Sequence, residues 1–251
     1  PAPADIEPPP PALNSTGRRT ALARWIVSPE NPLTARVIVN RIWQQHFGRG
    51  LVATPNEFGH LGQPPSHPEL LDWLAGWFMQ EGWSLKKLHR LILTSATFAQ
   101  RSDRPPDDKL AEVDPENHLL WRMNPRRLAG EEITDTVLVA AGSITIGSTQ
   151  KRAIYKPVRR NRPDPLLAAF DLPDRIQSAG RRHRTTTPSQ ALLLANSDWA
   201  HDQARAIARR LSAANDPAFI EALHRRLFGR PATAAERDDA VHFLAAYESL
   251  V

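Results

Sequence analysis

Apolar residues recur at three- and four-residue spacing through most of the chain, which is the period of helices rather than strands. The strongest such segment is residues 30–50, ENPLTARVIVNRIWQQHFGRG. Leu33, Val37, Ile38, Ile42, Trp43 and Phe47 make one wide apolar face. Asn31 can cap its start, Pro32 suits a first turn and Gly48 suits a left-handed C-terminal residue. A helix this apolar predicts the centre of a core. Ahead of it, residues 17–28 predict a short helix carrying Leu22, Trp25 and Ile26. Behind it, residues 50–65 hold Pro55, Gly59, Gly62, Pro64 and Pro65 and predict a loop. Ser66-His67-Pro68-Glu69 reads as a capping box. The helix it opens carries Leu70, Leu71, Trp73, Leu74, Trp77 and Phe78 and stops at Gly82. Ser84 caps the next helix, with Leu85, Leu88, Ile92 and Ala96 as its buried stripe. The single-residue break at Trp83 predicts a helical hairpin.

The second half is less regular. Residues 101–117 predict a polar loop, and residues 128–141 a helix ended by Gly142. Residues 143–150 are small and polar and mark a point where the domain could divide. Residues 152–158 have the best strand character in the chain and predict a minor β-hairpin or an extended arm. Residues 165–170 predict a short helical turn. Thr187-Pro188-Ser189-Gln190 is a second capping box, opening a helix through Leu192, Leu193 and Leu194. A helical tail over 197–251 follows, its last helix opened by Thr233-Ala234-Ala235-Glu236. The fold class is therefore mainly α: one orthogonal or bundle-like domain over 17–251, behind a proline-rich linker at 1–16. A chain that opens on a linker and stops inside a helix predicts a piece of a longer protein.

Composition narrows the function classes. The chain has 251 residues, enough to bury a sizeable core. It has no cysteine, which excludes disulfides, zinc–thiolate sites and thiol catalysis within this chain. No apolar run approaches the roughly 18 residues of a membrane helix, and the prolines at the start leave no apolar signal segment. The net charge is +5, and 27 of the 32 basic residues are arginine. Arginine favours bidentate binding of carboxylate, phosphate or sulfate, though a GC-rich genome produces the same bias. Scattered acidic residues argue against a continuous basic face for nucleic acid.

The sharpest candidate chemistry is Arg181-Arg182-His183-Arg184, just ahead of the Thr187 cap. Four basic residues beside a helix N-terminus suit an anion. Arg159, Arg160 and Arg162 could join them, with Asn161 and Asp171 among the residues of such a pocket. The competing assignment is structural, with these arginines paired to Asp164, Asp171 and Asp174. Asn40, Arg41 and His46 on the central helix could line a cleft, or could instead satisfy buried loop backbone. The nine histidines form no HExxH and no tight cluster with carboxylates, so no metal site is expected. Trp25, Trp43, Trp73, Trp77 and Trp121 fall at apolar positions and predict core packing. Trp83 and Trp199 stand at element boundaries, where exposure beside arginine would suit sugar or base stacking. There is no P-loop, GxSxG or strand-borne GxGxxG.

Several long motifs carry a family resemblance. They are NPLTARVIVNRIWQQHFGRGLVATPNEFG, PPSHPELLDWLA, GWSLKKLHRLILTSATF, FDLPD and RRHRTTTPSQALLLAN, in that order from about Arg18 to Asn196. The chain resembles the DUF1553 domain, also called PSD1, of planctomycete-type multidomain proteins. The resemblance implies an upstream DUF1549-like domain, a cytochrome-c-like domain that would hold any haem, and an exported location. It also implies, in many members, a cysteine just before the paired arginines; Gln177-Ser178-Ala179-Gly180 stands there instead, which puts any redox role of that cysteine in doubt. The expected function is an accessory or structural domain with an anionic-ligand pocket, such as for a sulfated glycan, and no cofactor of its own. An enzyme acting on carbohydrate or in a cytochrome-linked assembly is the alternative.

Overall fold

The computed structural model describes residues 16–103, 108–145, 147, 152–159, 161–173, 176, 179–211 and 215–248. Most of the proline-rich stretch at 1–16, part of the 143–150 turn, Arg160 and Asp174 therefore lie outside the described residues. Among the described residues there are eleven α-helices and no strand, so the protein is mainly α. Its contacts divide it into two compact units, residues 1–126 with 179–181, and residues 127–178 with 182–251.

The first unit contains α1 (Arg18–Val27), α2 (Thr34–Phe47), α3 (Pro68–Gln80), α4 (Leu85–Leu93) and the short α5 (Asp108–Val113). The segment expected as central is central. Val39, Trp43 and Phe47 of α2 pack with Leu71, Leu74 and Phe78 of α3 and Leu88 and Ile92 of α4 in one buried cluster. Local chemistry fixes the ends of α2. Asn31 is buried and its Oδ1 accepts from Leu33 N at 2.9 Å and Thr34 N at 3.2 Å. Gly48 closes the helix at φ 82°. Ser84 caps α4 by accepting from Lys87 N at 3.4 Å.

Four expectations are corrected in this unit. Ser66 does not cap α3: His67 takes that position, and Ser66 Oγ lies 2.9 Å from His67 Nδ1. A helical turn, α5, stands where only a polar loop was expected. Trp73 is 56% exposed rather than core-packed, and Leu85 and Ala96 of the expected α4 stripe are also exposed.

The second unit is built on α6 (Gly130–Ala140), with α7 (Pro165–Ala169), α8 (Pro188–Asn196), α9 (Asp198–Arg210), α10 (Asp216–Phe228) and α11 (Ala234–Glu248). Helix α6 packs against α7, α9 and α10, and a small apolar cluster of Ala140, Ala141 and Ile207 lies at its C-terminal end. Of the hairpin or extended arm expected near 152–158, no hairpin is formed among the described residues. Ala153–Tyr155 is a three-ten turn with extended residues on both sides. Asp135 of α6 explains this, since Oδ1 accepts from Ala153 N at 2.7 Å and Oδ2 binds Arg152 Nε at 3.0 Å. The backbone donor a partner strand would have needed is thus taken by a helix carboxylate, and Pro157 offers none. The capping box at α8 forms through Gln190, whose Oε1 accepts from Thr187 N at 3.3 Å. At α11 both halves form: Glu236 Oε2 accepts from Thr233 N at 2.9 Å, and Thr233 Oγ1 from Glu236 N at 3.3 Å.

Candidate functional site

In the first unit, Asn40, Arg41 and His46 face three different partners. Asn40 is fully buried and grips one residue of the following loop from both sides. Its Nδ2 donates to Val52 O at 3.0 Å and its Oδ1 accepts from Val52 N at 2.8 Å. Gly50 is needed for this approach, because a Cβ there would lie 2.7 Å from the Asn40 amide. Arg41 Nη2 donates to Asn56 Oδ1 at 3.1 Å. His46 Nε2 lies 2.8 Å from His89 Nδ1, with the Phe98 ring edge-on to it. Burial pushes the His46 pKa below the usual histidine value, and the neighbouring His89 and Arg126 push it the same way.

In the second unit, Arg182 of the basic stretch ahead of α8 is held by internal pairing. Arg182 donates through both Nη atoms to the Glu131 carboxylate, each at 2.7 Å. The Glu131 side chain is only 13% exposed. That hydrogen-bonded pair raises the Arg182 pKa further above its ordinary value, against the opposing effect of burial. Asp171, at φ 60°, accepts from Thr185 N at 2.7 Å and from Thr185 Oγ1 at 2.9 Å. Arg127 donates to Thr185 O and Thr186 Oγ1. Gln190 is buried behind Thr187 and donates to Ala169 O at 2.9 Å, tying α8 to the end of α7. Asp171, Arg182 and His183 do share a concavity with Arg127 and Phe170, but its volume is about 10 Å³. That is no more than the space of one water. His183 is exposed, and Arg181 belongs to the first unit.

A far larger cavity, about 590 Å³, is lined in part by Glu131. That volume is in the range of small-molecule sites. Its apolar wall comes from Ile154, Val158, Leu167, Leu172 and Ile176, and its polar groups are Glu131, Lys156, Arg159 and Asp164. The polar groups are unequal. Lys156 Nζ donates to Asp164 Oδ2 at 2.8 Å. Asp164 Oδ1 also caps α7, accepting from Leu166 N and Leu167 N at 3.0 and 3.1 Å. Burial alone would raise the Asp164 pKa, but Lys156 and the two amides outweigh it and hold the carboxyl below its usual value. Glu131 is taken by Arg182. Arg159 is exposed at the cavity and has no ion-pair partner among the described residues. Asn161 is exposed in the turn just beyond, where Arg162 N donates to Arg159 O at 3.2 Å.

Of the expected anion-site residues, the structure thus brings Asp171, Arg182 and His183 to one small concavity and Arg159 to a large one. The cavity wall of Ile154, Val158, Leu172 and Ile176 was missed. Its one sequence signal is proline spacing, with Pro157, Pro163, Pro165 and Pro173 set among the apolar residues and limiting regular structure there to short turns.

The two-unit helical architecture and this site define a mainly α domain without a recognisable catalytic constellation among the described residues. Residues 18–244 match the family model described as PSD1, a protein of unknown function (DUF1553). The chain belongs to that family. No curated protein and no solved structure matches it. Among the described residues, no helix is long and apolar enough to cross a membrane.

Proposed function

We propose that the chain is an accessory, non-catalytic binding domain of a larger exported protein, and that it takes an anionic ligand at the 590 Å³ cavity of its second unit. The ligand carries a sulfate, phosphate or carboxylate toward Arg159 and lays an apolar face, such as a ring or the C–H face of a sugar, against Val158, Leu172 and Ile176. A sulfated glycan fits this description. The observation that carries the reading is the difference between the arginines. Arg182 and Arg152 each hold a carboxylate of α6, at 2.7 and 3.0 Å, whereas Arg159 stands at a roomy apolar cavity with no such partner among the described residues. A guanidinium in that setting is ready for a planar anion. DUF1549-like and cytochrome-c-like domains of the same polypeptide are the proposed partners, and any haem belongs to the latter.

The test is a thermal-shift panel of inorganic sulfate, phosphate, sulfated disaccharides, naphthalene-2-sulfonate and 2-naphthol. A ligand that binds only the folded state raises the melting temperature by mass action. The reading expects a shift with an organic sulfate or sulfonate, a smaller one with the neutral naphthol, and loss of the difference in Arg159→Ala. Equal shifts in both proteins would overturn it.

A further inference from the structure

The charges that line the large cavity of the second unit come in pairs, with one left over. Four charged side chains reach it: Glu131, Lys156, Arg159 and Asp164. Lys156 Nζ and Asp164 Oδ2 hold each other at 2.8 Å. Glu131 is held at 2.7 Å by Arg182, which does not itself line the cavity. Each carboxylate is thus matched by one cation. Arg159 has no such match among the described residues, so the described lining carries one uncompensated positive charge. No histidine stands among these lining residues. Burial would raise the Asp164 pKa, but Lys156 and the amides of Leu166 and Leu167 outweigh it and hold the carboxyl below its usual value. Asp164 therefore stays charged through the mildly acidic range.

From this arrangement we infer that the cavity selects a singly charged organic anion, such as a sulfate ester, sulfonate or carboxylate, over a phosphate monoester. The inference rests on the reading of Arg159 as the anion-binding group and narrows it. A monoanion on Arg159 neutralises the lining. A second negative charge finds no unclaimed cation there and faces two carboxylates, Asp164 and Glu131. Lys156 offers it little, because Asp164 at 2.8 Å already takes the ammonium charge. Like charges brought together in a binding site are costly, and a site discriminates by such repulsion as well as by attraction. A phosphate monoester carries about −1.5 to −2 charges at pH 7, because its second pKa is about 6. A sulfate ester or sulfonate carries one throughout that range. Asp164 is the specificity-determining residue of this arrangement, since it keeps Lys156 from serving a dianion.

The experiment is isothermal titration of the whole chain with 2-naphthyl sulfate and 2-naphthyl phosphate. At about pH 8 the phosphate is a dianion, and at about pH 5 it is mostly a monoanion. At the higher pH the sulfate should bind about tenfold or more tighter, the scale of one like charge placed in a binding site. At the lower pH the gap should close through tighter phosphate binding, with the sulfate reporting anything that the protein itself does between the two conditions. Asp164→Asn should close most of the gap at the higher pH, because it frees the Lys156 charge. Asparagine caps a helix as well as aspartate does, so α7 keeps its start. Phosphate that binds through Arg159 as tightly as sulfate at the higher pH would overturn the inference and leave the cavity reading standing. A gap unchanged in folded Asp164→Asn would do the same. Binding of both compounds that ignores Arg159→Ala would overturn the cavity reading and this inference with it. The wild-type titrations decide the matter even where Asp164→Asn folds poorly.

Discussion

Replacing Asn40 by alanine should unfold the first unit far more easily than replacing its neighbour Arg41. Asn40 is fully buried, and both of its amide atoms are spent on Val52, at 3.0 and 2.8 Å. Val52 is itself buried. Truncation therefore strands one backbone N–H and one backbone C=O away from water. An orphaned buried polar group costs about 1–3 kcal/mol, so two of them cost about 2–6 kcal/mol. Water entering the vacated space would bring the loss toward the lower figure. Arg41 makes one exposed hydrogen bond, to Asn56, and its loss should stay within about 0.5 kcal/mol. Six of the seven tryptophans lie in the first unit, so tryptophan fluorescence during urea unfolding reports mainly on that unit. The expected result is a midpoint lowered in Asn40→Ala at unchanged slope, with Arg41→Ala close to wild type. A loss below about 1 kcal/mol for Asn40→Ala would refute the argument that the 50–52 loop hangs on this side chain.

Other consequences are as direct. Arg182→Ala should lower the melting temperature of the second unit, costing about 1–3 kcal/mol, because Glu131 keeps its burial and loses its cation; an unchanged melting temperature would contradict this. His46 has a lowered pKa in the folded chain, so the unfolded chain binds the extra proton more readily. Its contribution is therefore fully present above the unfolded value near 6.5 and is lost as pH falls from there toward the lowered folded value. His46→Gln should flatten the decline in stability between about pH 7 and 5 in fluorescence-detected melts. Thr233→Ala should cost about 1 kcal/mol by breaking the α11 capping box, and hydrogen exchange should show faster opening of the first turn of that helix.

Most features set by neighbouring residues were legible in the sequence, the expected box at Ser66 being an exception. The Gly48 stop and the box at Thr233 each depend on a few consecutive positions and each forms, and the box at Thr187 forms through Gln190; α2 instead starts later than expected, with Leu33 as its N-cap and Asn31 holding the amides of Leu33 and Thr34 from outside the helix. The central place of α2 followed from the width of its apolar face. What depended on distant partners was not legible. Helix α3 is apolar nearly all round, so its period could not say that Leu71 and Phe78 face the core while Trp73 faces water. Residues 152–158 resembled a strand because nothing local reveals that Asp135, some eighteen positions earlier, takes the Ala153 amide. The basic stretch at 181–184 was readable as a charge cluster. Whether its charge is free depends on Glu131, which is 51 residues away from Arg182 in sequence.

The central claim is that the second unit holds its anion through Arg159 at the large cavity. Isothermal titration of naphthalene-2-sulfonate into wild type, Arg159→Ala and Leu172→Trp tests it most directly. A charge-assisted hydrogen bond is worth about 1.5–3 kcal/mol, so saturable one-to-one binding should weaken by about tenfold to a hundredfold in Arg159→Ala. It should vanish in Leu172→Trp, where the indole occupies the cavity. Binding of equal strength in all three proteins would contradict the account and return the anion site to another part of the chain.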